Sequence, residues 1–105
     1  MGLYLTSISA DQSRPATSAK TSVAQSATSV SLLAANLDRR FVTIFNEANA
    51  TLYVSFGATA SLTSYTVQIP KNGYFESQED GYTGAIDGIW TAAGAGNARI
   101  TEVTN

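Results

Sequence analysis

The stretch that decides the fold is RFVTIFNEANATLYVSFG, residues 40–57. Its second half alternates between apolar and more polar residues, with Leu52, Val54 and Phe56 on one face. Alternation with a period of two is typical of a β-strand that buries one of its faces. These residues therefore predict a half-buried strand.

The first half of this stretch is apolar on both faces. Phe41 and Phe45 share one face, and Val42 and Ile44 share the other. This pattern predicts a central strand that is covered on both sides. The residues NEANA at 46–50 separate the two strands and are predicted to form a hairpin loop.

The rest of the chain contains further segments with strand character, separated by turn residues. The turn signals are PKNG at 70–73, EDGY at 79–82 and AGAGN at 93–97. Short strands at this spacing predict a β-sandwich or a small barrel. We expect an all-β fold, a small antiparallel β-sandwich that is jelly-roll-like and has an extended N-terminal arm. The additional strand candidates are SVSLLAA (29–35), YTVQIP (65–70), GYFESQ (73–78), GAIDGIWT (84–91) and NARITEVT (97–104).

The 105 residues are enough for one domain. Residues 6–29 are rich in Ser, Thr and Ala, and such a segment buries too little apolar surface to order itself. We therefore predict an N-terminal arm over residues 1–21 and a β-sandwich domain over residues 22–105. The arm is either a frayed terminus or an extended segment whose apolar tip docks on a neighbouring molecule. The residues of this tip are Leu3, Tyr4, Leu5 and Ile8.

The composition favours contact with other proteins over catalysis. Charged residues make up 13% of the chain, about half the ~25% of an ordinary domain. The sequence has no histidine and no cysteine, so the commonest general base and the commonest zinc ligands are missing. The net charge of −2 and the lack of a basic run argue against nucleic acid, and no apolar run is long enough for a membrane span. We expect no enzymatic activity, no cofactor and no metal.

The run GAIDGIWTAAGAGNARITEVT, residues 84–104, raises the question of a phosphate-binding loop. Gly94 and Gly96 form a G-x-G, but Arg99 stands where the third glycine of the dinucleotide motif belongs, and a strand pattern follows instead of a helix. The better interpretation is the last hairpin of a β-protein, with positive φ angles at the two glycines.

Two other features of this run have both a functional and a structural interpretation. Asp87 and Glu102 are predicted to face each other across the hairpin, as a carboxylate pair for glycoside hydrolysis or as members of surface ion pairs with Arg99. Trp90 is either a core residue or part of a sugar-binding platform with the five tyrosines. We expect the ion pair and the core position.

Several phrases occur in an order that is specific as a set. N-x-x-R-R at 36–40 precedes a strand, and LYVSFG, SYTVQI, GYFE and GAIDGIW…ARITE follow it. These phrases lie within residues 22–76 and 81–104. In them the chain resembles a group of small virion proteins of tailed phages. Members of this group are β-rich structural components, and some are capsid decoration or cement proteins. Residues 1–21 lie outside the resemblance.

The resemblance implies no catalytic or cofactor-binding residues. It implies a virion structural protein, in the first place a decoration (cement) protein on the outer surface of the head shell. Such a protein binds the major capsid protein or another virion protein. The alternative is a neck, tail or fibre-associated protein, including a receptor- or carbohydrate-binding module. We expect a homo-oligomer, with a trimer as the first choice, and we expect Arg39, Arg40 and Tyr82 to make lateral contacts.

Overall fold

The computed structural model describes residues 16–105, in which all regular secondary structure is β-strand. The predicted all-β fold is confirmed. No helix in the described range is long and apolar enough to cross a membrane. The strands, numbered in chain order, are β1 (Thr17–Ala24), β2 (Val30–Leu33), β3 (Arg39–Asn46), β4 (Leu52–Phe56), β5 (Val67–Ile69), β6 (Tyr74–Glu76), β7 (Ile86–Trp90) and β8 (Asn97–Thr104).

The strands form two four-stranded sheets in which neighbouring strands are antiparallel. Sheet 1 has the order β1-β8-β3-β6, and sheet 2 has the order β2-β7-β4-β5. Consecutive strands alternate between the sheets, except that β4 and β5 are neighbours in sheet 2. Eight strands connected in this way form a jelly roll. The predicted jelly-roll-like sandwich is therefore confirmed.

Both predicted hairpins are wrong, because their two strands belong to different sheets. β3 ends at Asn46 in sheet 1, and β4 begins at Leu52 in sheet 2. β7 and β8 are divided between sheet 2 and sheet 1 in the same way. The connections 47–51 and 91–96 therefore cross one end of the sandwich. Crossing lets the apolar faces of consecutive strands meet across the core, whereas a hairpin would place them side by side in one sheet.

The core lies between the sheets and is built from the inward faces of the central strands. Val42 and Ile44 of β3 pack with Ile100 of β8 in sheet 1, and Leu52 stands opposite Trp90 in sheet 2. Burial of side chains of this size contributes about 1.5–3 kcal/mol each, before conformational entropy is counted. The other members of the core are Leu32, Ala48, Val54, Ile69, Ile86 and Ala98.

Asn46 is a fully buried amide at the end of β3, and all of its hydrogen-bonding capacity is used. Its Nδ2 donates to the carbonyl oxygens of Ala50 and Ile69 at 2.9 and 2.8 Å. Its Oδ1 accepts from the amide of Ala48 and from Nε1 of Trp90, both at 3.1 Å. Because buried polar groups must be paired, this side chain fixes the crossing loop after β3 against sheet 2.

β3 occupies a central position in sheet 1, as predicted, but the fold covers one of its faces only. Val42 and Ile44 are fully buried, whereas Phe41 and Phe45 face outward and are half-buried. Residues 16–105 place no second layer on the outer side of sheet 1. The prediction that β3 is covered on both sides therefore does not hold within the described residues.

β1 crosses the predicted boundary between arm and domain at residue 21. It pairs with β8 over its whole length, from Thr17 with Thr104 to Ala24 with Asn97. Its side chains are exposed, apart from the half-buried Val23. Backbone pairing holds this strand in place, with little contribution from side-chain burial. The Ser, Thr and Ala content of this segment gave no indication of the strand.

Positive φ angles do not explain Gly94 and Gly96, because the positive-φ glycine within residues 16–105 is Gly57, at 121°. The two glycines lie against other parts of the chain instead. A Cβ on Gly96 would overlap the Cα of Ala48, and a Cβ on Gly94 would lie 2.7 Å from Oε1 of Gln25. The missing side chains thus let the loop before β8 pack closely against the loops at the same end of the sandwich.

Candidate interaction surface

Arg39, expected to make a lateral contact, is buried at the start of β3. Its side chain has no exposed surface, and its Nε donates to Oε2 of Glu102 at 2.8 Å. Its Nη1 donates to the carbonyl oxygens of Tyr82 and Gly84 at 3.2 and 2.9 Å, and its Nη2 donates to that of Ala34 at 2.7 Å. The guanidinium group therefore ties sheet 1 to the loops that precede β3 and β7.

A β-bulge explains why the two adjacent arginines differ. Arg39 pairs with Thr104 and Phe41 pairs with Val103, so Arg40 is the extra residue in β3. The bulge directs Arg39 inward, where its planar group with five donors suits a site ringed by carbonyl oxygens. The expectation of a lateral contact at Arg39 is corrected accordingly, because a fully buried side chain is not available to a partner.

Arg40 lies nearer the surface, at the same end of the sandwich. Its Nη2 donates to Oε2 of Glu79, and the two side chains are 24% and 50% exposed. Its carbonyl oxygen accepts from the amide of Asp80 at 2.7 Å, which holds the loop after β6 against β3. An ion pair with this exposure contributes under about 1 kcal/mol to stability. A lateral contact at Arg40 stays a prediction.

Tyr82 lines a cleft of about 280 Å³ between β4 of sheet 2 and β6 of sheet 1, here called the aromatic cleft. Its ring stacks on that of Phe56, with centroids 4.6 Å apart and planes inclined by 4°. Its hydroxyl donates to the carbonyl of Ala85 at 2.9 Å. The ring of Phe75 meets that of Phe56 edge-on at 6.1 Å. The more polar lining consists of Thr66, Glu76, Ser77, Gln78 and Gly81.

The outer face of sheet 1 carries two pairs of apolar side chains, separated along β3 by Thr43 and together called the outer patch: Phe45 with Tyr74, and Phe41 with Val103. Phe45 stands opposite Tyr74 of β6, and Phe41 stands opposite Val103 of β8. Residues directly opposite each other in antiparallel strands share a face. Tyr74 is 60% exposed, and the other three are half-buried. Aromatic side chains are enriched at protein–protein interfaces, so the outer patch is a candidate contact surface.

Tyr74 is the titratable group of this patch. Its hydroxyl donates to Oε1 of Glu76 at 3.0 Å. Desolvation by burial, this hydrogen bond and the negative charge of Glu76 raise the pKa of Tyr74 above its ordinary value of 10.0. The phenol therefore stays neutral at physiological pH, and the patch carries no charge at this position.

The structure does not bring the predicted carboxylate pair together. Asp87 lies in β7 of sheet 2, whereas Glu102 lies in β8 of sheet 1 and binds Arg39. Arg99, the expected partner of one of these acids, pairs with Glu47 at 2.7 Å instead. The two carboxylates were expected to meet across a hairpin, and they separate because that hairpin is a crossing between sheets.

Trp90 has no exposed surface and belongs to the core, as expected. Gly88 lies two residues before it on the same face of β7, where a Cβ would come within 2.9 Å of Cδ1 of Leu32. The sugar-platform interpretation fails for this tryptophan, because no ligand can stack on a fully buried ring.

The predicted arm anchors Leu3, Tyr4, Leu5 and Ile8 lie outside the described residues, and their role stays a prediction. The segment that carries them joins β1 where Thr17 pairs with Thr104, and Thr104 also pairs with Arg39. Leu37, in the loop before β3, is 90% exposed near this end of the sandwich. Sequence reasoning missed Leu37, because an isolated leucine carries no sign of its exposure.

Comparisons with known proteins give little further information. No protein-family model matches the chain, and no curated protein matches it. One similar solved structure comes from work on Bacillus endospore appendages that form a novel family of disulfide-linked pili. The two chains are 12% identical, the similarity covers 87% of each, and the TM-score is 0.48. A likeness of this size supports no inference about function.

Proposed function

We propose that the chain is a virion structural protein without enzymatic activity, which decorates the outer surface of a phage head shell. The outer patch is the observation that carries this proposal. Phe41, Phe45 and Tyr74 lie on the outer side of sheet 1, away from the core between the sheets. Covering such a surface with another protein gains free energy through apolar burial and aromatic packing. The sequence resemblance to small virion proteins supplies the context.

In this proposal, sheet 1 lies against the major capsid protein or another virion protein. A specific attachment needs about 1,000 Å² of buried surface or more in total. The outer patch supplies the apolar centre of that contact, and Arg40 adds a contact at one end of the sandwich. The predicted arm anchors Leu3, Tyr4, Leu5 and Ile8 add further contacts to the partner. Many copies on a symmetric shell, present as homo-oligomers, strengthen the attachment through avidity.

The location is tested by labelling particles with antibodies raised against the purified chain. Immunogold electron microscopy of phage particles is expected to place the label on heads. Label on necks, tails or fibres favours the alternative location. Purified particles that carry no label, and that contain no peptide of this chain by mass spectrometry, would overturn the virion assignment.

The role of the outer patch is tested with two matched variants of the full chain. Phe45→Ser removes an aromatic ring from the outer face of sheet 1, whereas Ile89→Ser removes a half-buried apolar side chain from sheet 2, where Ile89 stands opposite Tyr53. We expect Phe45→Ser to weaken binding to undecorated particles by about tenfold or more, the size of an interface hot spot. Equal binding by both variants, with thermal unfolding unchanged, would contradict this role.

A second candidate, a receptor- or carbohydrate-binding module, is favoured by the aromatic cleft. The stacked rings of Phe56 and Tyr82 border a cavity that the polar residues Glu76, Ser77 and Gln78 also line. Sugars pack on aromatic faces and hydrogen-bond to such groups. A glycan-array signal that Tyr82→Ala abolishes and Tyr65→Ala leaves intact would support this candidate. An array without signal would remove it.

A further inference from the structure

β1 is the one long, regular sheet edge in the part of the chain that the structure describes. It lies at the edge of sheet 1 and pairs with β8 through eight residues without a register shift. The other edges there are β5 and β6, with three residues each, and β2, with four residues and a register shift. Among these edges, β1 is therefore the one that can pair with another strand over the greatest length.

The backbone groups at the free edge of β1 follow from its register. The amide of Gln25 donates to the carbonyl of Gly96 at 2.9 Å, in continuation of the pairing with β8. Hydrogen-bonding direction alternates along an antiparallel strand. The odd-numbered residues of β1 therefore face β8, and the N–H and C=O groups of the even-numbered residues point to the free edge. These residues are Ser18, Lys20, Ser22 and Ala24.

Apart from one lysine, Lys20, this edge lacks the features that protect most exposed strands. Proteins block such edges with charged side chains, especially lysine, and with proline, bulges, short length or inward-pointing charges. The sequence of β1, TSAKTSVA, has no proline, and its pairing with β8 has no bulge. Its side chains are small apart from Lys20 and Val23, and they are exposed on both faces except for the half-buried Val23. Nothing within residues 16–105 covers the free backbone groups, so they are accessible to another strand.

We propose that β1 pairs antiparallel with β1 of a second copy of this chain, so that the two copies of sheet 1 join into one continuous sheet. The occupant is a second copy because the strand is self-complementary. A twofold axis at Thr21 sets Ser18 opposite Ala24 of the second copy and Lys20 opposite Ser22 of the second copy. Both are hydrogen-bonded pairs, and twofold symmetry repeats each of them.

The position of the axis follows from charge and overlap. An axis at Lys20 would set the two ammonium groups directly opposite each other, which is destabilising. An axis at Ala19 or at Ser22 would leave some of the four residues whose backbone groups point to the free edge without a partner in β1 of the second copy. The axis at Thr21 pairs all of these residues and sets the two threonine side chains opposite each other, an arrangement that is favourable in antiparallel sheets.

This inference stands on the geometry of β1 and is independent of the proposed function. It gives a dimer, in place of the trimer expected from the sequence. It also leaves the outer patch exposed, because edge pairing extends the sheet without covering its faces. A decoration protein and a protein with another role would dimerise in the same way.

A single cysteine tests the register, because the natural chain has none. Opposite residues in a non-hydrogen-bonded pair have Cα atoms about 4.5 Å apart, within the range of a disulfide. Under mild oxidation, we expect Thr21→Cys to form a covalent dimer at least about tenfold faster than Ala19→Cys. The two copies of residue 19 would lie about 14 Å apart along the strands. Equal cross-linking of the two variants would overturn the proposal.

Sedimentation of the full chain tests the pairing itself. We expect a reversible dimer. Lys20→Pro is expected to raise its dissociation constant by about tenfold or more, because each copy loses a backbone N–H that points to the free edge of β1. Lys20→Ala keeps that N–H and is expected to dimerise like the natural chain.

A natural chain that stays monomeric at millimolar concentration would overturn the proposal. If its even-numbered β1 amides were also protected from hydrogen exchange, residues 1–15 of the same chain would be the occupant instead. If Lys20→Pro fails to fold, the comparison of cross-linking by Thr21→Cys and Ala19→Cys still tests the proposed dimer.

Discussion

Nε1 of Trp90 donates a hydrogen bond to Oδ1 of Asn46 at 3.1 Å, and neither side chain has exposed surface. The bond joins β7 of sheet 2 to the end of β3 in sheet 1. The same Oδ1 accepts from the amide of Ala48, and the Nδ2 group serves two further carbonyl oxygens. The direction of the chain after β3, across to sheet 2, is therefore fixed by one side chain.

Asn46→Ala is expected to lower the free energy of unfolding by about 2–4 kcal/mol, because it leaves several buried donors and acceptors without partners. Asn49→Ala, in the loop that follows β3, replaces an exposed side chain whose Oδ1 accepts a 3.3 Å hydrogen bond from Nε2 of Gln25. It is expected to change the free energy of unfolding by less than about 1 kcal/mol. Urea unfolding followed by tryptophan fluorescence measures both. Similar losses in the two variants would show that the buried network contributes little.

Arg39→Lys is expected to destabilise the fold by about 3 kcal/mol or more. A lysine ammonium cannot reproduce the planar set of donors that serves Glu102 and three carbonyl oxygens, so buried acceptors lose their partners. Arg40→Lys keeps a cation beside Glu79 near the surface and is expected to cost less than about 1 kcal/mol. Chemical unfolding of Arg39→Lys and Arg40→Lys measures the difference. Equal unfolding midpoints for the two variants would contradict the buried role of Arg39.

Gly96→Ala is expected to cost more stability than Gly94→Ala, although the two glycines lie in the same loop. A methyl group at Gly96 meets the backbone of Ala48, whereas one at Gly94 meets the amide end of the Gln25 side chain, which is buried and hydrogen-bonded but can shift more easily than backbone. Overpacking costs about 1–3 kcal/mol where the surroundings cannot move. Thermal unfolding of both variants is the measurement, and the reverse order would contradict the packing described here.

The raised pKa of Tyr74 predicts a loss of stability at high pH. As pH rises past about 10, the unfolded chain releases the phenolic proton before the folded chain does, so stability falls until the folded pKa is passed. Tyr74→Phe removes this contribution, and Glu76→Gln reduces it. Urea midpoints between pH 9 and 12 are expected to fall more steeply for the natural chain than for Tyr74→Phe. Parallel slopes would contradict the interaction with Glu76.

Sequence reasoning predicted the segments of β2 to β8, but not β1, because the burial pattern of a strand is local. The alternation of Leu52, Val54 and Phe56 depends on the side of the backbone from which each residue projects. Which strands pair is not local information. Thr17 and Thr104 meet in sheet 1, and no neighbouring residue of either predicts it. Loop composition at NEANA is compatible with a hairpin and with a crossing, so both hairpin predictions failed for one reason.

The candidate contact residues also divide into those that a local sequence pattern predicts and those that depend on distant parts of the chain. The aromatic residues of the outer patch were visible in the sequence, since Phe41 and Phe45 fall on the face opposite Val42 and Ile44. Their pattern predicted a covering layer, and the described fold supplies none. The burial of Arg39 had no local signal, because its site needs carbonyl oxygens from Ala34 and from the distant loop with Tyr82.

The place of β8 between β1 and β3 has a consequence for the synthesis of this protein. A ribosome completes β1 and β3 long before it reaches Asn97–Thr104, the strand that both of them flank. Until that strand leaves the exit tunnel, the described part of the chain supplies no neighbour for β1 in sheet 1. Sheet 1 therefore closes only when β8 inserts between β1 and β3.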